Sequence, residues 1–257
     1  MQFYLDFDGV ISDSANECIE NAYNAWLHRM PNIFDNLNDS EKSLRKQQII
    51  DYGISNRYLV IPPEHYYCLI DCISDGISNT KKKLSRNHVK QLFLLKVKSV
   101  NNKTLKEFRD DFFSFRNSKF NIQSDRDWFR ENPPTSFIKR LFDLIVPYSC
   151  RVAIVSRKNY EAINKWFLGS EFSNVKIYGN EHLDKFKNKF TLIKHLQQQT
   201  GFQNAVFIDD MVSEFGHYNW KKINVLTMTA GWGYNDLQNN EEEILNILNR
   251  KLNDLFN

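Results

Sequence analysis

Turn-forming residues are scarce in this chain, with nine glycines and six prolines among 257 residues. That scarcity argues against a turn-rich all-β fold and in favour of long helices. No apolar run approaches the ~20 residues that a membrane-spanning helix needs. No basic segment followed by an apolar one opens the sequence, so no secretory leader is expected. Cysteine is sparse too: Cys18, Cys68, Cys72 and Cys150 form no CxxC pair. Cys68 and Cys72 stand one helical turn apart with no paired-histidine motif, which reads as two small apolar side chains. The expectation is a reduced, cytoplasmic, soluble protein without a membrane partner. A formal charge of +3 supplies no strong excess of either sign and argues against a nucleic-acid partner.

What the chain does have is apolar bulk: 42% hydrophobic residues, including 20 phenylalanines and 11 tyrosines. That length can bury one core, or one core plus an inserted module. Short strand-type runs occur at 3–7, 151–155, 175–178, 205–208 and 225–228. Helical periodicities separate the last four, at 160–167, 190–199 and 212–220, and a final helix over 241–255 opens on three glutamates. Alternating strands and helices read as a doubly wound parallel, five-stranded Rossmann-like sheet.

One interval breaks the alternation. Between Ser14 and Pro133 the patterns are helical: 16–29, 40–51, 63–77, 86–100, 104–115 and 125–130, with Ser40 and Asp125 as expected N-caps and Pro63 in a first turn. A helix over 135–146 then leads back to the sheet. The expected organisation is an α/β core from 1–14 and 133–257, with an all-α module at 15–132. The insert carries 19 basic and 15 acidic residues, the core 15 and 16. The Lys81-Lys82-Lys83 run reads as a solvated turn, and Phe108, Phe112 and Phe115 as helix core rather than a base-stacking face.

Ligands of an open parallel sheet bind beyond the carboxyl ends of its strands. Here those ends carry Asp6-Phe7-Asp8-Gly9, then Ser156 in "AIVSRK", then Asp209-Asp210 in "AVFIDD". Adjacent carboxylates repel unless a positive group joins them. Oxygen ligands at two strand ends make a hard-cation site suited to Mg²⁺ and a substrate phosphate. Ser156 and the following helix start can hold phosphoryl oxygens, and a lysine can neutralise shared charge. Asp6 can attack phosphorus while Asp8 protonates the departing alkoxide and later activates water.

These motifs resemble the haloacid dehalogenase-like superfamily. "FYLDFDGVISDS" matches its first motif over the full length, "AIVSRK" its second, a lysine in "DKFKNKF" its third and "AVFIDD" its fourth. "GWGY" after the last strand looks like that of the phosphoglycolate phosphatase branch. The resemblance implies a helical cap after the first motif, Asp6 as nucleophile forming an aspartyl-phosphate, and Asp8 as general acid/base. It implies Mg²⁺ held by Asp6, the Asp8 backbone carbonyl and an acid of the fourth motif, Asp210 or Asp209. Lys189 is the first choice for the motif lysine, ahead of Lys187 and Lys185. Gly9, Ser156, Arg157 and Lys187 are the expected substrate- and phosphate-binding residues. Asp13 reads as structural, and Glu214 as either a second acid of the fourth motif or an exposed helix-start acid.

An acid at Asp8 separates this pattern from dehalogenating members, which lack one. The expected activity is a Mg²⁺-dependent phosphatase, a phosphoric monoester hydrolase, on a small phosphorylated metabolite. A phosphomutase of the β-phosphoglucomutase type and a non-catalytic binding protein of the same fold are the alternatives. A monomer or homodimer is expected.

Overall fold

The structure, a computed structural model, describes residues 1–79, 83–145, 152–170, 175–235 and 237–253. Lys81, Lys82, Cys150, Arg151 and the expected helix ends at 146 and 255 lie outside the described residues. Two compact units form, one from Met1–Ser14 with Gln123–Asn257 and the other from Ala15–Ile122.

The first unit is built on five parallel strands: β1 (Gln2–Leu5), β2 (Val152–Val155), β3 (Lys176–Tyr178), β4 (Ala205–Asp209) and β5 (Val225–Thr229), in spatial order β3-β2-β1-β4-β5. Every residue of β1, β2 and β4 is buried. Continuous apolar strands of this kind need cover on both faces. The strand order reverses between β1 and β4, which is where a crevice opens in such sheets. β1 ends two residues before its apolar run does, because the chain leaves the ladder at Asp6. Phe7 stays buried, and its carbonyl accepts from the Ile11 and Ser12 amides at 2.9 Å to close a tight loop.

Helices of this unit are α6 (Asp125–Glu131), α7 (Ser136–Ile145), α8 (Tyr160–Gly169), α9 (Asn180–Phe186), α10 (Lys189–Thr200), α11 (Ser213–Gly216) and α12 (Glu241–Asn253). The 123–132 segment, expected in the helical module, packs here instead. Trp128 of α6 is fully buried, and its indole N–H donates to the Ala162 carbonyl of α8 at 2.9 Å. Ser124, one residue before the expected cap, caps α6. The lysine-rich stretch contains the extra helix α9, ended by Lys187 at φ 69°. The helix expected over 212–220 is only the short α11, followed by a 3₁₀ turn at Trp220–Ile223.

The second unit is all helical: α1 (Ala15–Arg29), α2 (Asp39–Ser55), α3 (His65–Asn79), α4 (Arg86–Ser99) and α5 (Asn102–Ile122). Asn38, not Ser40, caps α2, in a reciprocal box with Glu41. α3 begins after Pro63 rather than on it. Trp26, Cys68, Cys72, Phe108 and Phe112 share one core, with Phe115 packed against it. Burial pushes the Cys68 and Cys72 thiols up to about 11 and about 12, so both act as apolar filler. Arg116 makes a buried, two-pronged bond to Glu17, at 2.7 and 3.0 Å, that ties α5 to α1. No helix among the described residues is long and apolar enough to cross a membrane.

Candidate active site

Register brings the first and fourth motifs together. Leu5 pairs with Ile208 across the β1–β4 ladder, and the Asp6 amide continues it by donating to the Ile208 carbonyl at 2.9 Å. Asp6 therefore leaves the end of β1 beside Asp209 and Asp210 at the end of β4. All three carboxylates are buried and offer oxygens within 4.8 Å of one another. Gly9, at φ +81°, makes this approach possible: a Cβ there would stand 2.6 Å from Asp210 Oδ2. Its role here is conformational, since only glycine adopts that turn without strain and leaves the space empty.

Lys189 supplies the charge between the two strand ends. Its Nζ lies 2.7 Å from Asp209 Oδ2 and 3.0 Å from Asp6 Oδ1, and the residue is 2% exposed. The geometry that places it is local: Asn188 caps α10 through the Thr191 amide, and Lys189 is the helix's first residue. Burial alone would lower its pKa, but Asp209, Asp6 and Glu214 raise it, so the ammonium persists. Lys185 and Lys187 are exposed on and after α9. The phosphate-binding expectation for Lys187 is not met by its position, because the left-handed turn at the end of α9 leaves it in solvent.

Asp8 is held separately. Lys158 Nζ donates to Asp8 Oδ1 at 3.1 Å, and the Ser14 hydroxyl donates to the same oxygen. Lys158 is 2% exposed, lies over the Phe7 and Trp128 rings, and also donates to Asn132 Oδ1 at 3.3 Å. The sequence reading passed over this lysine. The signal available was its place two residues after the strand-end serine; its burial depends on rings and an amide from distant segments.

Ser156 ends β2 buried, with its Oγ accepting from the Lys158 amide at 3.3 Å. Arg157 turns to Glu214 instead of standing free for a phosphate: its Nε and guanidinium nitrogen donate to Glu214 Oε1 at 3.0 and 2.9 Å. Glu214 is thus buried and ion-paired, not an exposed helix-start acid. Burial would raise its pKa, yet Lys189 and Arg157 outweigh that and lower it. Asp13 is exposed, and Tyr234 donates to its Oδ1 at 3.2 Å.

Asp6, Asp8, Asp209, Asp210 and Glu214 thus gather near Lys158, Lys189 and Arg157. The Asp209 pKa is raised by its burial and by Asp6, Asp210 and Glu214, against the pull of Lys189. Asp6 Oδ1 is buried, and although Lys189 Nζ is 3.0 Å away it accepts no aligned hydrogen bond. A hard-oxygen donor set of three buried carboxylates fits a divalent cation of the Mg²⁺ type.

Neither a protein-family model nor a curated protein matches the sequence. Solved structures do match the fold. A candidate phosphoglycolate phosphatase from Lactobacillus delbrueckii subsp. bulgaricus aligns at TM-score 0.62 and 11% identity, over 96% of this chain and 99% of that one. A candidate phosphatase from Clostridium acetobutylicum aligns at 0.55 and 15%, over 98% and 97%. A candidate phosphoglycolate phosphatase from Haemophilus somnus aligns at 0.52 and 12%, over 96% of each. At such identities the likeness shows the fold alone. What they share with this chain is an α/β fold, here built on a five-stranded parallel sheet.

Proposed function

We propose that this protein is a Mg²⁺-dependent phosphatase that hydrolyses a small phosphorylated metabolite. The observation that carries the reading is the gathering of Asp6, Asp209 and Asp210 around one buried lysine at the sheet's reversal point. The shared fold with candidate phosphatases agrees with it.

In this reading Asp6 attacks phosphorus, the bond to the leaving alkoxide breaks, and Asp8 donates a proton to that oxygen. Asp8 then takes a proton from water, which attacks the aspartyl-phosphate, frees phosphate and restores Asp6. Lys189 stays charged throughout, screening the nucleophile from Asp209 and offsetting charge that builds on the phosphoryl group. Lys158 and Ser14 fix the Asp8 oxygen they share. Asp6, the Asp8 carbonyl and Asp210 would hold Mg²⁺, with Asp209 tied to Lys189. When bound, the ion withdraws charge from the phosphoryl oxygens. The α/β unit is catalytic, and the helical unit inserted after the first motif selects the substrate.

Release of phosphate from p-nitrophenyl phosphate, with Mg²⁺ and with EDTA, tests the proposal, followed by a panel of sugar phosphates, nucleotides and phosphoacids. Asp6→Asn should reduce turnover by about 10⁶-fold, the scale seen when a nucleophile is removed. Parent-like activity in that variant would reject the assignment, and a phosphorylated isomer as product would indicate a mutase.

A further inference from the structure

The "GWGY" segment has no part in the chemistry above, yet Tyr234 lies across its centre. Tyr234 donates its backbone N–H to Asp210 Oδ2 at 2.9 Å. Its phenol oxygen accepts the Ser14 amide at 2.6 Å, and its own proton can go to the Ser12 carbonyl at 3.3 Å or Asp13 Oδ1 at 3.2 Å. Ser14 in turn donates its hydroxyl to Asp8 Oδ1. The ring edge also lies 3.1 Å from the point where a Gly9 Cβ would be, so it packs on the turn between Asp8 and Ser14.

A tyrosine placed only to fill space would not need its hydroxyl among three polar partners. Removing that oxygen leaves the Ser14 amide without its acceptor. Ser14 is then free to rotate its hydroxyl off Asp8, and Asp8 Oδ1 loses that donor. Misplacement on the scale of 1 Å is enough to slow a proton transfer strongly. The backbone N–H on Asp210 survives any side-chain change.

We infer that Tyr234 is a positioning residue for Asp8, acting through Ser14, and that its hydroxyl sets how well Asp8 delivers a proton to the leaving group. The inference rests on the phosphatase reading and deepens it. It makes a prediction that depends on the leaving group. p-Nitrophenolate departs without a proton, whereas an alkoxide needs one, so loss of Asp8 alignment should weigh on alkyl esters.

The test compares kcat/KM for p-nitrophenyl phosphate and glycerol phosphate in the parent, Tyr234→Phe, Ser14→Ala and the double variant. Tyr234→Phe should lose about tenfold to a hundredfold on the alkyl ester and at least several-fold less on the aryl one. Ser14→Ala should show the same asymmetry, and the double variant should be no worse than the poorer single one, because both act on one carboxylate. Mg²⁺ affinity, read by titration calorimetry without substrate, should be unchanged in Tyr234→Phe. Equal losses on both esters, additive losses in the double variant, or a fall in Mg²⁺ affinity that matches the rate loss would each overturn the inference. Thermal unfolding of each variant verifies that the assayed protein is folded. A parent inactive on every phosphate ester with Mg²⁺ present would instead overturn the phosphatase reading itself.

Discussion

The two units treat buried charge in opposite ways. In the helical unit each buried ion meets its counter-ion: Glu17 meets Arg116, and Asp71 meets Lys96 while accepting the Trp26 indole N–H at 3.0 Å. In the α/β unit Asp6, Asp209 and Asp210 crowd together at the strand ends, with Lys189 between Asp6 and Asp209. Paired buried ions contribute to a defined packing but hold no unspent field. A crowd of like charges costs stability and is a mark of functional sites. The contrast agrees with the proposed placement of the chemistry in the α/β unit.

That contrast can be broken most sharply at Arg116. Its replacement by alanine strands Glu17 in the helical core and should cost about 3–5 kcal/mol, visible as a lower urea midpoint. A matched Glu17→Met/Arg116→Met pair should recover much of that loss. Next in size is the response to metal. Mg²⁺ at a hundred times its dissociation constant should stabilise the α/β unit by about 2.7 kcal/mol, and EDTA should reverse the shift in a melting curve; no shift would mean the acid cluster takes no divalent ion. Asp210→Asn tests the cost of the cluster directly. It removes one repelling charge while its amide oxygen can still accept from Tyr234, so the metal-free protein should gain about 0.5–2 kcal/mol and lose its Mg²⁺-induced shift. The smallest change is Asn38→Ala, which opens the capping box of α2 and should cost about 1 kcal/mol without altering Mg²⁺ binding.

Much of the fold was legible because its signals are local. Apolar runs of β1, β2, β4 and β5 ended on acids, a serine or a turn, and their order implied a parallel sheet. What escaped the sequence depends on distant partners. Nothing near α6 shows that Trp128 will pair with Ala162, so 123–132 read as part of the insert. Lys189 did not escape: it is the first choice among the three lysines of "DKFKNKF", and the helix start capped by Asn188 carries it between the two acids. α9 was missed because its seven residues carry little apolar periodicity beyond Leu183 and Phe186. Lys158 looked like an ordinary surface residue; Phe7, Trp128 and Asn132 bury it from elsewhere in the chain. Arg157 looked available for an anion until Glu214 arrived from 57 positions away.

The pairing of β1 has a consequence for how the protein is made. Residues 3–5 pair with 152–154 on one side, and residues 2–5 with 205–208 on the other. At typical ribosomal speeds of about 5–20 residues per second, the central strand waits roughly 10–40 s for its second neighbour to be synthesised. The helical unit is one continuous stretch and can close during that wait. Synthesis order therefore lets the helical unit form before the acids at the ends of β1 and β4 have met, and the short span of β1 limits the sticky edge exposed meanwhile.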